Sequence, residues 1–147
     1  NLGAITAVKG ASVLEAIGLK GGLLMISFLL VASVMNFLVG SASAKWAFMA
    51  PIFVPMLMQM GLSPEATQAA YRVGDSITNI ISPLMPYLPI IIVFAQKYDR
   101  KAGIGTILAA MLPYSIAYLI AWIIMLLVWV YAGLPLGPGA SAFYGAG

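Results

Sequence analysis

The polar side chains able to do chemistry concentrate in one short stretch. Gln68, Arg72, Asp75, Ser76 and Asn79 recur at i, i+4, i+7, i+8 and i+11, the spacing of one continuous stripe on a helix of 3.6 residues per turn. Arg72 and Asp75 stand three residues apart on that stripe and can pair. A charge at the centre of a membrane helix costs about 2.5–3.5 kcal/mol, so the pair has two readings. It is either a buried ion pair that holds helices together or part of a pathway for a substrate or ion. The stripe runs on through Ser76, Thr78 and Asn79 towards Ser82-Pro83, where a proline interrupts the helical bonding. A break there frees backbone N–H and C=O groups. Together with hydroxyls and an amide, these can replace the hydration shell of a small cation or grip a carboxylate. The continuity of stripe and break favours the pathway reading.

A second polar cluster, Gly40-Ser41-Ala42-Ser43-Ala44-Lys45, interrupts an apolar region. Ser41 and Ser43 offer the same groups as Thr78 and Asn79, and two such breaks facing each other would build one site. A lone serine in an apolar helix, by contrast, usually bonds its own backbone and packs. Trp46 follows Lys45 directly. It reads either as an interfacial indole beside a snorkelling lysine or as a ring placed to stack on an aromatic substrate. Pro51, Pro55, Pro83, Pro86 and Pro89 are helix-shaping residues, and the nine methionines are core filler.

The medium around these residues follows from composition. Of 147 residues, 63% are hydrophobic and 7% charged, against about 25% charged in a soluble domain. Mean hydropathy is +1.04. So little charge cannot coat a globule of this size, and the natural solvent is a bilayer. His 0 and Cys 0 exclude zinc sites built on those ligands, histidine acid/base chemistry, thiol nucleophiles and disulfides. The net charge of +3 is scattered, which does not suit a nucleic-acid partner. No phosphate-binding glycine loop and no internal repeat is visible, and neither an enzyme nor a bound cofactor is expected. The start, Asn1-Leu2-Gly3, has no initiator Met or basic n-region, and the chain is expected to be a piece of a larger membrane protein.

The elements that must position the polar residues can be walked out in order. Residues 1–20, with Lys9 and Glu15, read as a connector or interfacial helix. Lys20-Gly21-Gly22 breaks the chain before the uncharged run Leu23–Val39, and Trp46–Met60 forms a second apolar run. Fifteen residues reach only about 22 Å, short of the roughly 30 Å hydrocarbon core, and Pro51 and Pro55 weaken the helix further. A re-entrant hairpin over 21–60 with its tip at 40–46 fits this pattern, the alternative being two plain spans. Ser63, Pro64 and Glu65 carry the N-cap, first-position proline and first-turn acid of a helix start. Residues 64–98 then read as one discontinuous transmembrane helix, broken between about 77 and Pro83. Lys97, Arg100 and Lys101 mark the 97–101 loop as cytoplasmic and leave the 61–65 loop outside, a placement that Lys9 and Lys20 fit poorly. Residues 103–132 form a long, tilted span with Pro113 as a kink and Trp122, Trp129 and Tyr131 as anchors. The Gly/Pro-rich tail 133–147 is expected to be loose.

Four strings stand in order along the chain: Gly40-Ser41-Ala42-Ser43-Ala44-Lys45-Trp46-Ala47, Ala50-Pro51-Ile52-Phe53-Val54-Pro55-Met56, Tyr71-Arg72-Val73-Gly74-Asp75-Ser76-Ile77-Thr78-Asn79 and Met111-Leu112-Pro113-Tyr114-Ser115. Together they closely resemble the AbgT family. That family comprises p-aminobenzoyl-glutamate transporters and exporters of antimetabolite sulfonamides, and the resemblance covers its C-terminal part, roughly the last third. It implies an all-α integral membrane protein of inverted-repeat architecture, a homodimer with nine transmembrane helices and two re-entrant hairpins per subunit, in the bacterial inner membrane. Only the second-repeat part is present, so the fragment alone is expected not to transport. The family's functional positions match Trp46, Arg72, Asp75 and Pro83, with Ser41, Ser43, Ser76, Thr78 and Asn79 as supporting candidates from the residue reading. In the function so implied, an ion gradient (H+ or Na+) drives transport of aromatic carboxylates related to p-aminobenzoate. Arg72 engages the substrate carboxylate or holds Asp75, Asp75 carries the coupling proton or helps bind a cation, and Trp46 lines an aromatic subsite. The rival readings are a sodium-coupled di- or tricarboxylate symporter of related architecture and a non-transporting structural or channel subunit.

Overall fold

Small residues and helix breakers, more than amphipathic patterning, set this architecture. A computed structural model describes residues 2–18 and 20–143. Its elements are α1 (Leu2–Ala16), α2 (Gly21–Met35), α3 (Ala42–Gln59), α4 (Pro64–Asn79), α5 (Leu88–Ala95) and α6 (Ile104–Tyr131). The last residues of the 133–147 tail, 144–147, lie outside the described residues, as do positions 1 and 19 of the 1–20 connector.

Each boundary has a local cause. Ser41 caps α3 by accepting from the Ala44 N–H at 3.3 Å, and Ser63 caps α4 by accepting from the Ala66 N–H at 3.1 Å, each satisfying a donor that the first helical turn leaves orphaned. Pro64 follows at the first helical position, where a missing N–H costs nothing. α4 stops at Asn79, Pro83 and Pro86 fall in the irregular 80–87, and Pro89 sits in the first turn of α5, where a missing N–H is tolerated. One C-terminal carbonyl of α4, that of Ile77, accepts instead from Ser115 Oγ on α6 at 2.7 Å.

The core forms where α4 meets α2. α4 buries Ala66, Thr67, Ala70, Tyr71, Gly74, Asp75, Ile77 and Thr78, a stripe at helical period. Ala66, Ala70 and Gly74 stand four apart, so the backbones approach closely, as helices do inside membranes. A Cβ added at Gly74 would lie 2.5 Å from the Leu29 carbonyl oxygen. Across this contact Ser33 Oγ donates to the Gly74 carbonyl at 3.1 Å. Besides this contact, α3 packs on α1 and α4, α6 on α4, and α5 on α6.

Two expectations change here. The halves of 21–60 do part at a break, residues 36–41, but α2 and α3 have different principal neighbours. They are not packed along one another as hairpin arms would be. The glycine-favouring bend before α2 accounts for this: it turns the chain by 119° between Val8–Ala16 and Gly21–Met35, leaving α1 rather than α2 alongside α3. The tail, expected to be loose, is tied down through residue 143. Ser63 Oγ donates to the Ser141 carbonyl at 2.6 Å, the Ser63 N–H to the Ala142 carbonyl at 3.1 Å, and Trp129 Nε1 to the Pro135 carbonyl at 3.1 Å. Buried Leu62 and Ala142 join the core at this strap. Among the described residues one helix, Ile104–Tyr131, is by itself long and apolar enough to cross a bilayer. Its 28 residues extend about 42 Å.

Candidate functional site

The two helix breaks meet. Ser82 Oγ in the second donates to the Asn36 carbonyl in the first at 3.3 Å. A Cβ on Gly40 would come within 2.9 Å of the Leu84 carbonyl oxygen, so only glycine allows the two segments to touch there. Asn79, exposed at the end of α4, lines a cavity of about 220 Å³ with Gly40, Ser82 and Leu84.

Asp75 does not pair with Arg72. Its partner is Lys45, from the first turn of α3, whose Nζ lies 2.5 Å from Asp75 Oδ1. Lys45 is fully buried and Asp75 5% exposed, so Lys45 is not a snorkelling side chain. The second oxygen on the ammonium is Asn36 Oδ1 at 2.9 Å, and the Tyr71 ring centroid lies 5.3 Å from Nζ, within cation–π range. Asn36 uses its amide nitrogen to donate to Asn79 Oδ1 at 2.9 Å and Thr78 Oγ1 at 3.1 Å. Thr78 Oγ1 donates in turn to the Gly74 carbonyl at 2.9 Å. Among the described residues no buried side-chain nitrogen or oxygen lacks a partner. A satisfied network is what makes charge this deep tolerable.

The polar stripe of α4 therefore splits. Gln68, Arg72, Ser76 and Asn79 are exposed, while Asp75 at its edge is buried because Lys45 reaches over from α3. Ser76 bonds only its own helix, donating to the Val73 carbonyl at 3.1 Å. Ser41 is occupied as the α3 cap. Pro83 lies exposed in the second break.

Trp46, Arg72 and Ser43 come together on the other side of Lys45. With Ala42, Gln68 and Tyr71 they line a cavity of about 130 Å³. Half-buried Trp46 packs on Tyr71 with ring centroids 4.8 Å apart and planes tilted by 45°, a favourable aromatic geometry. Tyr71 is 1% exposed, and its hydroxyl donates to the Ala42 carbonyl at 2.6 Å. Arg72 has no carboxylate within salt-bridge distance among the described residues, and Gln68 and Arg72 also line a wider cavity of about 450 Å³ beneath Leu136–Ala140. The small cavity falls below the ~300 Å³ at which complete ligand sites begin, so by itself it is at most part of a site. Sequence reasoning missed Lys45, Asn36 and Tyr71. Asn36 carried the readable signal, as an amide deep in an uncharged run.

Comparison with known proteins places this arrangement. A profile of the AbgT putative transporter family matches residues 1–144. The chain is 38% identical over 139 residues to the p-aminobenzoyl-glutamate transport protein of Escherichia coli K12, covering 95% of this chain and 27% of that protein. It resembles the crystal structure of the Alcanivorax borkumensis YdaH transporter at 52% identity and a TM-score of 0.87, over 93% of this chain and 29% of the other. It also resembles Neisseria gonorrhoeae MtrF, from a class of antimetabolite efflux pumps, at 54% identity and a TM-score of 0.83, over 95% and 28%. The chain thus spans less than a third of each relative's length, and these relatives are transporters rather than enzymes. With the family profile matching nearly the whole chain and two solved transporters of similar fold, the chain belongs to the AbgT family of membrane transporters.

Proposed function

We propose that this chain supplies one half of the substrate site of a secondary transporter for p-aminobenzoyl-glutamate and p-aminobenzoate-like aromatic carboxylates, with sulfonamide antimetabolites leaving by the same route. The observation that carries the reading is the cavity in which an aromatic wall, Trp46 on Tyr71, faces a guanidinium without a carboxylate partner, Arg72. A ring stacks on the first, and a carboxylate takes charge-assisted hydrogen bonds from the second. Ser43 and Gln68 add neutral polar groups. The facing helix breaks form the second of two inverted repeats, and the first completes the site from outside this chain. The protein works as a homodimer in the bacterial inner membrane, with the 97–101 loop cytoplasmic.

Transport is driven by an H+ or Na+ gradient. Thr78 and Asn79 hold the break, and Asp75 is the candidate for coupling. A specific observation favours a second reading for Asp75: its carboxylate is already neutralised by Lys45, as a static structural pair would be. Asp75→Asn in proteoliposomes separates the two. A coupling role predicts loss of gradient-driven flux with substrate binding and assembly retained; a structural role predicts loss of folding. The substrate assignment is tested by Trp46→Ala and Trp46→Phe. Alanine should weaken binding of p-aminobenzoyl-glutamate about 5- to 10-fold, the 1–1.5 kcal/mol of a ring contact, and phenylalanine should restore most of it. Equal loss in both variants with poor membrane insertion would instead make Trp46 an interfacial anchor.

A further inference from the structure

Trp46–Tyr71 and Lys45–Asp75 are neighbouring pairs that join the same two turns of helix. Lys45 and Trp46 are consecutive on α3, and Tyr71 precedes Asp75 by one turn on α4. Tyr71 belongs to both. Its ring packs on Trp46 at 4.8 Å and lies 5.3 Å from the Lys45 ammonium, and its hydroxyl fixes the start of α3 through the Ala42 carbonyl at 2.6 Å. It also forms part of the cavity wall, which neither Lys45 nor Asp75 does.

We propose that Tyr71 is a positioning residue that couples occupancy of the Trp46 cavity to the Lys45–Asp75 ion pair. The proposal rests on reading that cavity as the aromatic subsite. A ring entering it must settle against Trp46 and Tyr71, and interior packing leaves no slack to absorb the adjustment. The charged group placed to respond is the ammonium 5.3 Å from the Tyr71 ring centroid, and through it Asp75 and Asn36, which bonds at both helix breaks. Linkage makes the effect reciprocal: if the ligand alters the pair, the state of the pair alters ligand affinity.

The test uses the full-length transporter carrying this segment, purified in detergent. The dissociation constant of p-aminobenzoyl-glutamate is measured for the parent, for Lys45→Met with Asp75→Leu, for Tyr71→Leu, and for the triple variant. Neutralising the pair should change the constant about five-fold or more, although neither residue lines the cavity. On the Tyr71→Leu background that change should vanish, whereas on Tyr71→Phe, which keeps the ring, most of it should remain. Should the paired replacement fail to fold, Lys45→Gln with Asp75→Asn, which removes both charges and keeps polar groups in their place, carries the same arms. A ligand-free readout runs alongside: the fluorine resonance of 5-fluorotryptophan at position 46, assigned by its loss in Trp46→Phe. It should shift when the pair is neutralised, and not when Tyr71 is leucine. An unshifted resonance, or an equal change in affinity with and without the Tyr71 ring, overturns the coupling. A parent protein that does not bind p-aminobenzoyl-glutamate overturns the substrate assignment instead, and the fluorine measurement still decides the coupling.

Discussion

Replacing Lys45 by methionine puts the buried network to its severest trial. Methionine keeps an unbranched apolar stem of similar length, so little packing is lost. What goes is the ammonium at 2.5 Å from Asp75 Oδ1 and 2.9 Å from Asn36 Oδ1. The Asp75 side chain is only 7% exposed, so water cannot take the ammonium's place. Breaking such a pair from one side costs about 3–5 kcal/mol, and an Asn36 oxygen left without its donor pushes towards the upper end. Removing both charges, Lys45→Met with Asp75→Leu, should cost clearly less, about 1–3 kcal/mol, because no ion is stranded and what remains is the Asn36 oxygen without its donor. The assay is equilibrium unfolding of the detergent-solubilised full-length transporter in mixed micelles of increasing sodium dodecyl sulfate, followed by tryptophan emission. The double variant should regain much of what the single one loses. A Lys45→Met protein within about 1 kcal/mol of the parent, or a double variant as unstable as the single, would mean that the pair is not the closed, desolvated contact described above.

Arg72→Gln should leave unfolding within about 0.5 kcal/mol of the parent, since exposed Arg72 has no salt-bridge partner among the described residues, while binding of carboxylate substrates falls at least ten-fold in a filter or calorimetric assay. Gly74→Ala should cost about 1–3 kcal/mol from overpacking, because its Cβ meets the Leu29 carbonyl at 2.5 Å; the same mixed-micelle titration reads it. Ser63→Ala should lose about 1 kcal/mol as a cap and also free the strap, seen as faster amide exchange at Ser141–Phe143. A cysteine at Ser43, exposed and on the cavity wall, should react with a small aqueous thiol reagent and be protected by substrate.

The breaks of this fold are legible in the residues because prolines and glycines act on their own backbone. Ser63-Pro64 and the 83–89 prolines mark ends that need no knowledge of a partner. Polar contacts between distant segments are not legible in that way. Arg72 and Asp75 look like a pair by spacing, yet Lys45, thirty residues earlier, makes the closer contact with Asp75, and helical periodicity carries no information about which neighbour will cover an edge. For the same reason a hairpin over 21–60 could be inferred from length and prolines, whereas the packing of α3 on α1 depends on a bend before α2 that hydropathy does not encode. Trp46 beside Lys45 left an interface anchor and a substrate-stacking ring both open; its packing on Tyr71, twenty-five residues later, is again a contact that spacing does not encode.

The strap has a consequence for biosynthesis. Chains emerge from the ribosome N-terminus first, and the partners of Ser63 are Ser141 and Ala142, which follow α6. The start of α4 therefore waits, with Ser63 and its backbone N–H lacking these partners, while α5 and the whole of α6 are translated and inserted. The helix bearing Arg72 and Asp75 can pack on α2 and α3 as soon as it is made, but the contacts of Ser63 at its start come from residues that follow α6. The strap is thereby one of the later contacts of this chain to close, because it cannot form until α6 and the residues after it have been made.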